Sequence, residues 1–169
     1  MSTLHELGNV VHARRSEMGL TQARVAMLSG LTRQTVNQVE NGTVGDLSLN
    51  RVNRLAEVLG LSLAIRDPCA RVPAAAGARS SALVRAARSA SVSYRQVMAP
   101  ARLRKILEAG TVAPDDAPYL HALLDDAPIS LLASLAEQLR REAGMSRAQT
   151  WQHFRQLAHQ VLSKRDIWQ

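Results

Sequence analysis

The apolar positions of residues 3–59 fall into four runs at helical spacing, separated by glycine and hydroxyl or amide side chains. In the first, Thr3 and Glu6 form a capping pair, and Leu7, Val10, Val11 and Met18 line one stripe before Gly19. The second spans 21–29 with Val25, Ala26 and Leu28 inward and breaks at Gly30. Thr32 caps the third, whose Val36 and Val39 face inward before Asn41 and Gly42. The fourth follows the loop 43–46, carries Leu49, Val52, Leu55, Ala56 and Leu59, and closes at Gly60. Residues 61–65 then alternate apolar and small side chains, the period of a strand. A single strand is not stable alone. Leu61, Leu63 and Ile65 are therefore expected to pair with the same strand of a second copy, or else to pack within their own subunit.

From about residue 67 to 92 the pattern gives way to Ala, Arg, Ser and Pro, which reads as a linker in which residues 82–88 can form a short helix. Helical patterns return over 93–169. Pro100 to Ala109 ends at Gly110, Asp116 opens a helix reaching Leu124, and Asp126 opens another with Ile129, Leu132, Leu135, Ala136 and Leu139 inward before Gly144. Ser146 and Gln149 form a second capping pair, after which Trp151, Phe154, Leu157, Ala158, Val161 and Leu162 share a wide apolar face. That face is plain core, or an effector pocket or docking surface. All five aromatic residues, Tyr94, Tyr119, Trp151, Phe154 and Trp168, lie in this part, so two folding units with different cores are expected.

The segment 22–42, QARVAMLSGLTRQTVNQVENG, carries the chemistry. A small residue where two helices touch, a glycine in the turn and apolar residues that lock the second helix on the first are the needs of a helix-turn-helix, and Ala26, Gly30, Leu31, Val36 and Val39 meet them. Arg33, Gln34, Asn37, Gln38 and Asn41 then form an outward stripe with no apolar or acidic member. Arginine pairs in bidentate fashion with guanine and glutamine or asparagine with adenine, so these side chains can read base edges in a major groove.

Residues 7–65 resemble the phage-repressor (Xre/Cro) type of helix-turn-helix domain, at Arg15, Gly19, Leu20, Thr21, Gln22, Ala26, Gly30, Thr32, Val36, Val39, Glu40, Asn41, Gly42, Leu55, Ala56, Leu59 and Gly60. The resemblance implies that Gln22 binds a phosphate and braces the recognition helix, that Thr32, Arg33, Gln34, Asn37, Gln38 and Asn41 lie at the DNA, and that Arg15 and Glu40 form a structural ion pair. With the strand that follows, the arrangement is similar to HipB-like antitoxins. The expected fold is mainly α: a lambda-repressor-like domain over residues 1–66 with one short dimerisation strand, a basic linker over 67–92, and a small helical domain over 93–169 that binds a partner.

Composition sharpens this. The 169 residues include 21 basic and 14 acidic side chains. Residues 1–67 hold seven basic and six acidic side chains, residues 68–107 hold eight and none, and residues 108–169 hold six and eight. The positive charge therefore sits in the tether, where Arg71, Arg79, Arg85 and Arg88 would follow DNA phosphates or meet an acidic protein. No apolar run reaches the roughly 18 residues of a membrane span and no signal-like start is present, so a soluble, cytoplasmic protein is expected. The lone Cys69 excludes internal disulfides, and His5, His12, His121, His153 and His159 are scattered without metal-ligand spacing. Asp115, Asp116, Asp125 and Asp126 suit helix capping better than cation binding. No catalytic residues, metal or cofactor are expected. The expected partners are a palindromic DNA operator, a second copy of the chain, and a toxin neutralised by the C-terminal domain; the alternative is a stand-alone dimeric regulator whose C-terminal domain senses an effector.

Overall fold

A computed structural model describes residues 3–64, 81–92, 94 and 97–169. The N-terminal half carries α1 (Thr3–Glu17), α2 (Gln22–Ser29), α3 (Arg33–Glu40) and α4 (Leu49–Val58). The C-terminal half carries α5 (Ala82–Ala90), α6 (Pro100–Ala109), a 3-10 turn at Pro114–Asp116, α7 (Ala117–Asp126), α8 (Ile129–Ala143), α9 (Arg147–Gln160) and a second 3-10 turn at Asp166–Trp168.

In the N-terminal half α1 and α2 both pack on α3, and α4 closes over α2. Val11, Val25, Val36, Val39, Leu55 and Leu59 are fully buried between them. The Thr21 and Thr32 hydroxyls accept the backbone N–H of Arg24 and Thr35, each at 3.1 Å, and so start α2 and α3. Two positions depart from the periodic reading. Val10 is 50% exposed, because Gly8 lies at the crossing of α1 over the end of α3: a Cβ there would stand 2.3 Å from the Val39 carbonyl oxygen. The backbones meet so closely that no side chain fits between them. Leu49, at the first position of α4, is also solvent-exposed, since the buried stripe begins a turn later at Val52.

No β-strand occurs among the described residues. Leu61 is half-buried against the core, Leu63 is exposed, and residues 61–64 run without regular structure, since the single chain offers them no ladder partner. Ile65, Cys69, Arg71 and Arg79 lie outside the described residues.

The C-terminal core is built on leucine and aromatic side chains. Leu103, Leu107, Leu120, Leu123, Leu132 and Leu135 are fully buried with Phe154. Trp151 packs edge-on against Phe154 at 5.3 Å between ring centroids and lies 6.2 Å from Trp168. The second part of the segment read as a linker belongs to this core: α5 buries Ala82, Leu83, Ala86, Ala87 and Ala90 against α7 and α8, its run of small residues allowing close approach. Buried Gln138 accepts the Leu83 backbone N–H at 3.0 Å, tying the start of α5 to α8. The aspartates also differ from the capping expectation. Asp116 is buried and pairs with Arg102 at 2.9 Å, while Asp126 is the last residue of α7 and α8 begins after Pro128. Leu162 lies beyond α9 with φ of 56° and is 79% exposed, because the chain turns left-handed there and the Ser163 N–H closes back on the Ala158 carbonyl.

The halves meet where α1 touches α9 and α4 touches α8. Arg147 donates to Glu17 at 3.0 Å and to Glu137 at 2.8 Å, and Arg155 donates to the Met18 carbonyl at 2.6 Å. Arg24 donates to the Asp166 carbonyl. Hydrogen bonds from Arg140 and Arg147 hold the Glu137 carboxyl down to about 2, so this junction stays charged at ordinary pH. Among the described residues no helix is long and apolar enough to cross a membrane.

Replacing Gly8 with alanine is expected to destabilise the fold by about 1–3 kcal/mol, because the gain in helix propensity is smaller than the cost of forcing α1 off α3. Thermal unfolding checks this; an unchanged or raised midpoint would show that the crossing has slack.

Candidate nucleic-acid interface

The turn between α2 and α3 depends on Gly30, whose φ of 66° is a left-handed conformation that side chains rarely adopt. After it the chain reverses through Leu31, and α3 buries Val36 and Val39 on Val25 and Ala26. That packing turns the opposite face of α3 outward. Arg33, Gln34, Asn37 and Asn41 are exposed, and Gln38 is half-buried, its carbonyl accepting the Thr43 N–H at 2.9 Å. Thr32 is exposed too, with its hydroxyl engaged as the cap of α3 and 2.8 Å from that of Thr35.

Beneath this stripe sits Glu40, whose side chain is 3% exposed. Arg15 approaches it as a fork, Nε to Oε1 at 2.6 Å and Nη2 to Oε2 at 3.0 Å, while its Nη1 donates to the Leu20 carbonyl at 3.0 Å. Gln22 donates to the same carboxylate at 2.9 Å and reaches the Asn37 Oδ1 at 3.3 Å. Asn41 donates to that Oδ1 as well, at 3.1 Å. Burial pushes the Glu40 carboxyl up, but hydrogen bonds from Arg15 and Gln22 and the charges of Arg15 and His12 outweigh it and hold the group below its ordinary range. One carboxylate thus joins α1, the start of α2 and the end of α3, while Asn37 and Asn41 extend the network to the exposed face.

Chemically, the stripe offers an arginine fork and amide groups on a helix whose angle is set from below. The basic tether is less free than its composition suggests. Arg102 is spent on Asp116, and Arg104 on Glu108 and Glu142, while Arg85 and Arg88 stand exposed on α5. Of the positions that hold the interface, Gly8 and the junction arginines Arg147 and Arg155 are not among those the pattern singles out. A glycine inside a helical run, costing about 1 kcal/mol against alanine, is the signal for the first; nothing in the spacing marks the others. Among the described residues no group of His, Cys, Asp and Glu is placed to hold a metal ion.

Residues 11–65 match the family model described as helix-turn-helix, and this segment is a helix-turn-helix domain of the phage-repressor kind. The chain is also 40% identical over 55 residues to (S)-2-hydroxypropylphosphonic acid epoxidase from Streptomyces wedmorensis, a stretch covering 32% of this chain and 28% of that protein. No solved structure matches significantly.

Replacing Glu40 with glutamine is expected to cost about 3 kcal/mol at neutral pH, since it leaves the Arg15 guanidinium part-buried without its counter-charge. Because the folded carboxyl lies below its ordinary 4.5, the stabilisation is complete above that pH and fades as pH falls through the folded value. Denaturant unfolding across this range should show the gap between wild type and Glu40→Gln narrowing on acidification; a constant gap would contradict the assignment.

Proposed function

We propose that this helix-turn-helix domain makes the chain a sequence-specific, DNA-binding transcriptional repressor that acts as a dimer. The supporting observation is the exposed, acid-free stripe of Arg33, Gln34, Asn37 and Asn41 on a helix braced by Glu40. In this reading Arg33, Gln34 and Gln38 read bases, Asn41 meets the backbone, as does Gln22 by exchanging its 3.3 Å bond to Asn37 for a phosphate oxygen, and Thr32 and Asn37 lie at the groove wall. One domain of this size contacts few phosphates. Two recognition helices on a roughly palindromic operator, one helical turn apart, would supply the missing affinity. Dimerisation through residues 61–65 is part of the proposal, with the exposure of Leu63 as its supporting observation. No catalytic step is assigned to the chain.

The finer reading is an antitoxin that represses its own operon and neutralises a toxin through the C-terminal half. It is supported by the leucine and aromatic packing of that half and by apolar side chains that its fold leaves uncovered: Val92 and Val97 are 83% and 69% exposed, near in sequence to Tyr94, whose ring lies 4.6 Å from that of Tyr119 at a tilt of 48°. A second reading, a stand-alone dimeric regulator that senses a small molecule, is favoured by a cavity between the two halves.

Replacing Arg33 or Gln34 with alanine should relax sequence preference at a cost of about 1–3 kcal/mol on operator DNA and little on random DNA, whereas Gln22→Ala should weaken both alike. Fluorescence anisotropy on the two DNAs separates these; equal losses for Arg33→Ala would remove it from the base-reading set. For the antitoxin role, co-expression with the neighbouring gene of the operon should give a complex on size exclusion and rescue growth. Substituting Val92 and Val97 with serine should abolish both, and absence of any complex with the unaltered chain would overturn that role.

A further inference from the structure

Leu28 of α2, Val58 of α4, Ile129 at the start of α8 and Ile167 of the terminal turn line one cavity of about 350 Å³ at the seam between the halves. Its size lies within the range of small-molecule sites, about 300–1,000 Å³, and aliphatic walls with a few polar groups are their usual construction. Arg165 supplies the polar group of interest. Its Nη1 donates to the carbonyls of Leu124 at 3.2 Å and Ala127 at 2.6 Å, while Nε and Nη2 have no partner among the described residues. It makes no ion pair among them either. Burial pushes this guanidinium down, against the charges of Asp125 and Asp126. Glu57 and Asp166, the acids of the cavity wall, are exposed, so water screens them more than it screens the half-buried arginine. Two free donors on a partly desolvated cation match the two oxygens of a carboxylate, and the aliphatic walls match a short branched tail.

We propose that the seam cavity binds a small aliphatic carboxylate, with Arg165 holding the carboxylate and Leu28, Val58, Ile129 and Ile167 lying along the tail. This deepens the second reading, that of a regulator responsive to a small molecule, on which it rests for its biological meaning. A ligand there touches α2 and α4 on one side and α8 and the terminal turn on the other. Binding therefore ties the halves together and bears on α2, one residue before the end of which Leu28 sits.

The test is a titration of the full chain with isovalerate, read by tryptophan fluorescence. Trp168 reports on the site because its Nε1 donates at 3.1 Å to the same Leu124 carbonyl that Arg165 binds. The expected result is a saturable change, about tenfold weaker for the neutral isostere isovaleramide, and lost in Val58→Phe, which fills the cavity. Leu28→Phe fills it from the other helix and keeps the test open if Val58→Phe does not fold. No saturable response to isovalerate, an equal response to the amide, or a response retained by a folded cavity-filling variant would overturn the proposal. Operator affinity measured with and without isovalerate is a separate readout: binding without a change in affinity would sink the sensing reading and leave the site standing.

Discussion

A buried carboxylate is the constraint on which the exposed polar face of α3 depends. Glu40 is almost fully enclosed, and an enclosed charge is tolerated only when paired and hydrogen-bonded. Arg15 and Gln22 meet that demand from α1 and from the first residue of α2. Each therefore has one permitted position, and so do the helices that carry them. Hydrophobic packing alone would let α3 roll on Val36 and Val39 at little cost, whereas the fork of Arg15 on Glu40 admits one angle. The polar stripe on the far side of α3 inherits that angle.

The two halves solve their packing differently. The N-terminal half buries valine, leucine and alanine with no aromatic side chain, and gains closeness from Gly8 and the left-handed turn at Gly30. Its partner fills a larger volume with leucine and a tryptophan–phenylalanine cluster, bringing α5 into contact through alanines. Between them lie arginine contacts, one on the Glu17 carboxylate and others on the Met18 and Asp166 carbonyls, together with apolar contacts that join the buried residues of both halves into one cluster. Two units of different core composition thus share one mixed polar and apolar seam that holds them in a defined relation to each other.

Most of the helix-turn-helix was legible from residue order, because its needs are local: hydroxyl caps at Thr21 and Thr32, glycine at the turn, valines at helical spacing. What the pattern missed arises from contacts distant in sequence. Val10 and Leu49 fit an apolar stripe yet face water, since where α1 crosses α3, and where α4 meets its neighbours, decides which part of a stripe is covered. Asp126 has the chemistry of a helix start and stands at a helix end, because Pro128 begins the next one. The alanine-rich α5 reads as tether by composition, and only its fit against α7 and α8 reveals it as core. Charge counting located the basic surplus correctly in sequence but not its availability, since Asp116, Glu108 and Glu142 return to neutralise part of it.

The doubly bonded oxygen of Asn37 narrows what the proposed recognition helix can say. An amide carbonyl has two lone pairs, and here Gln22 and Asn41 occupy both. Asn37 keeps its N–H groups and has no acceptor to give. Bidentate recognition of adenine through an asparagine needs a donor and an acceptor together, so with this network intact Asn37 can address only acceptor atoms: guanine O6 or N7, adenine N7, thymine O4 or a phosphate. Telling adenine from guanine at that position, through the adenine N6 amino group, would first require the Gln22 or Asn41 bond to open, which makes the brace beneath the helix a filter on its vocabulary.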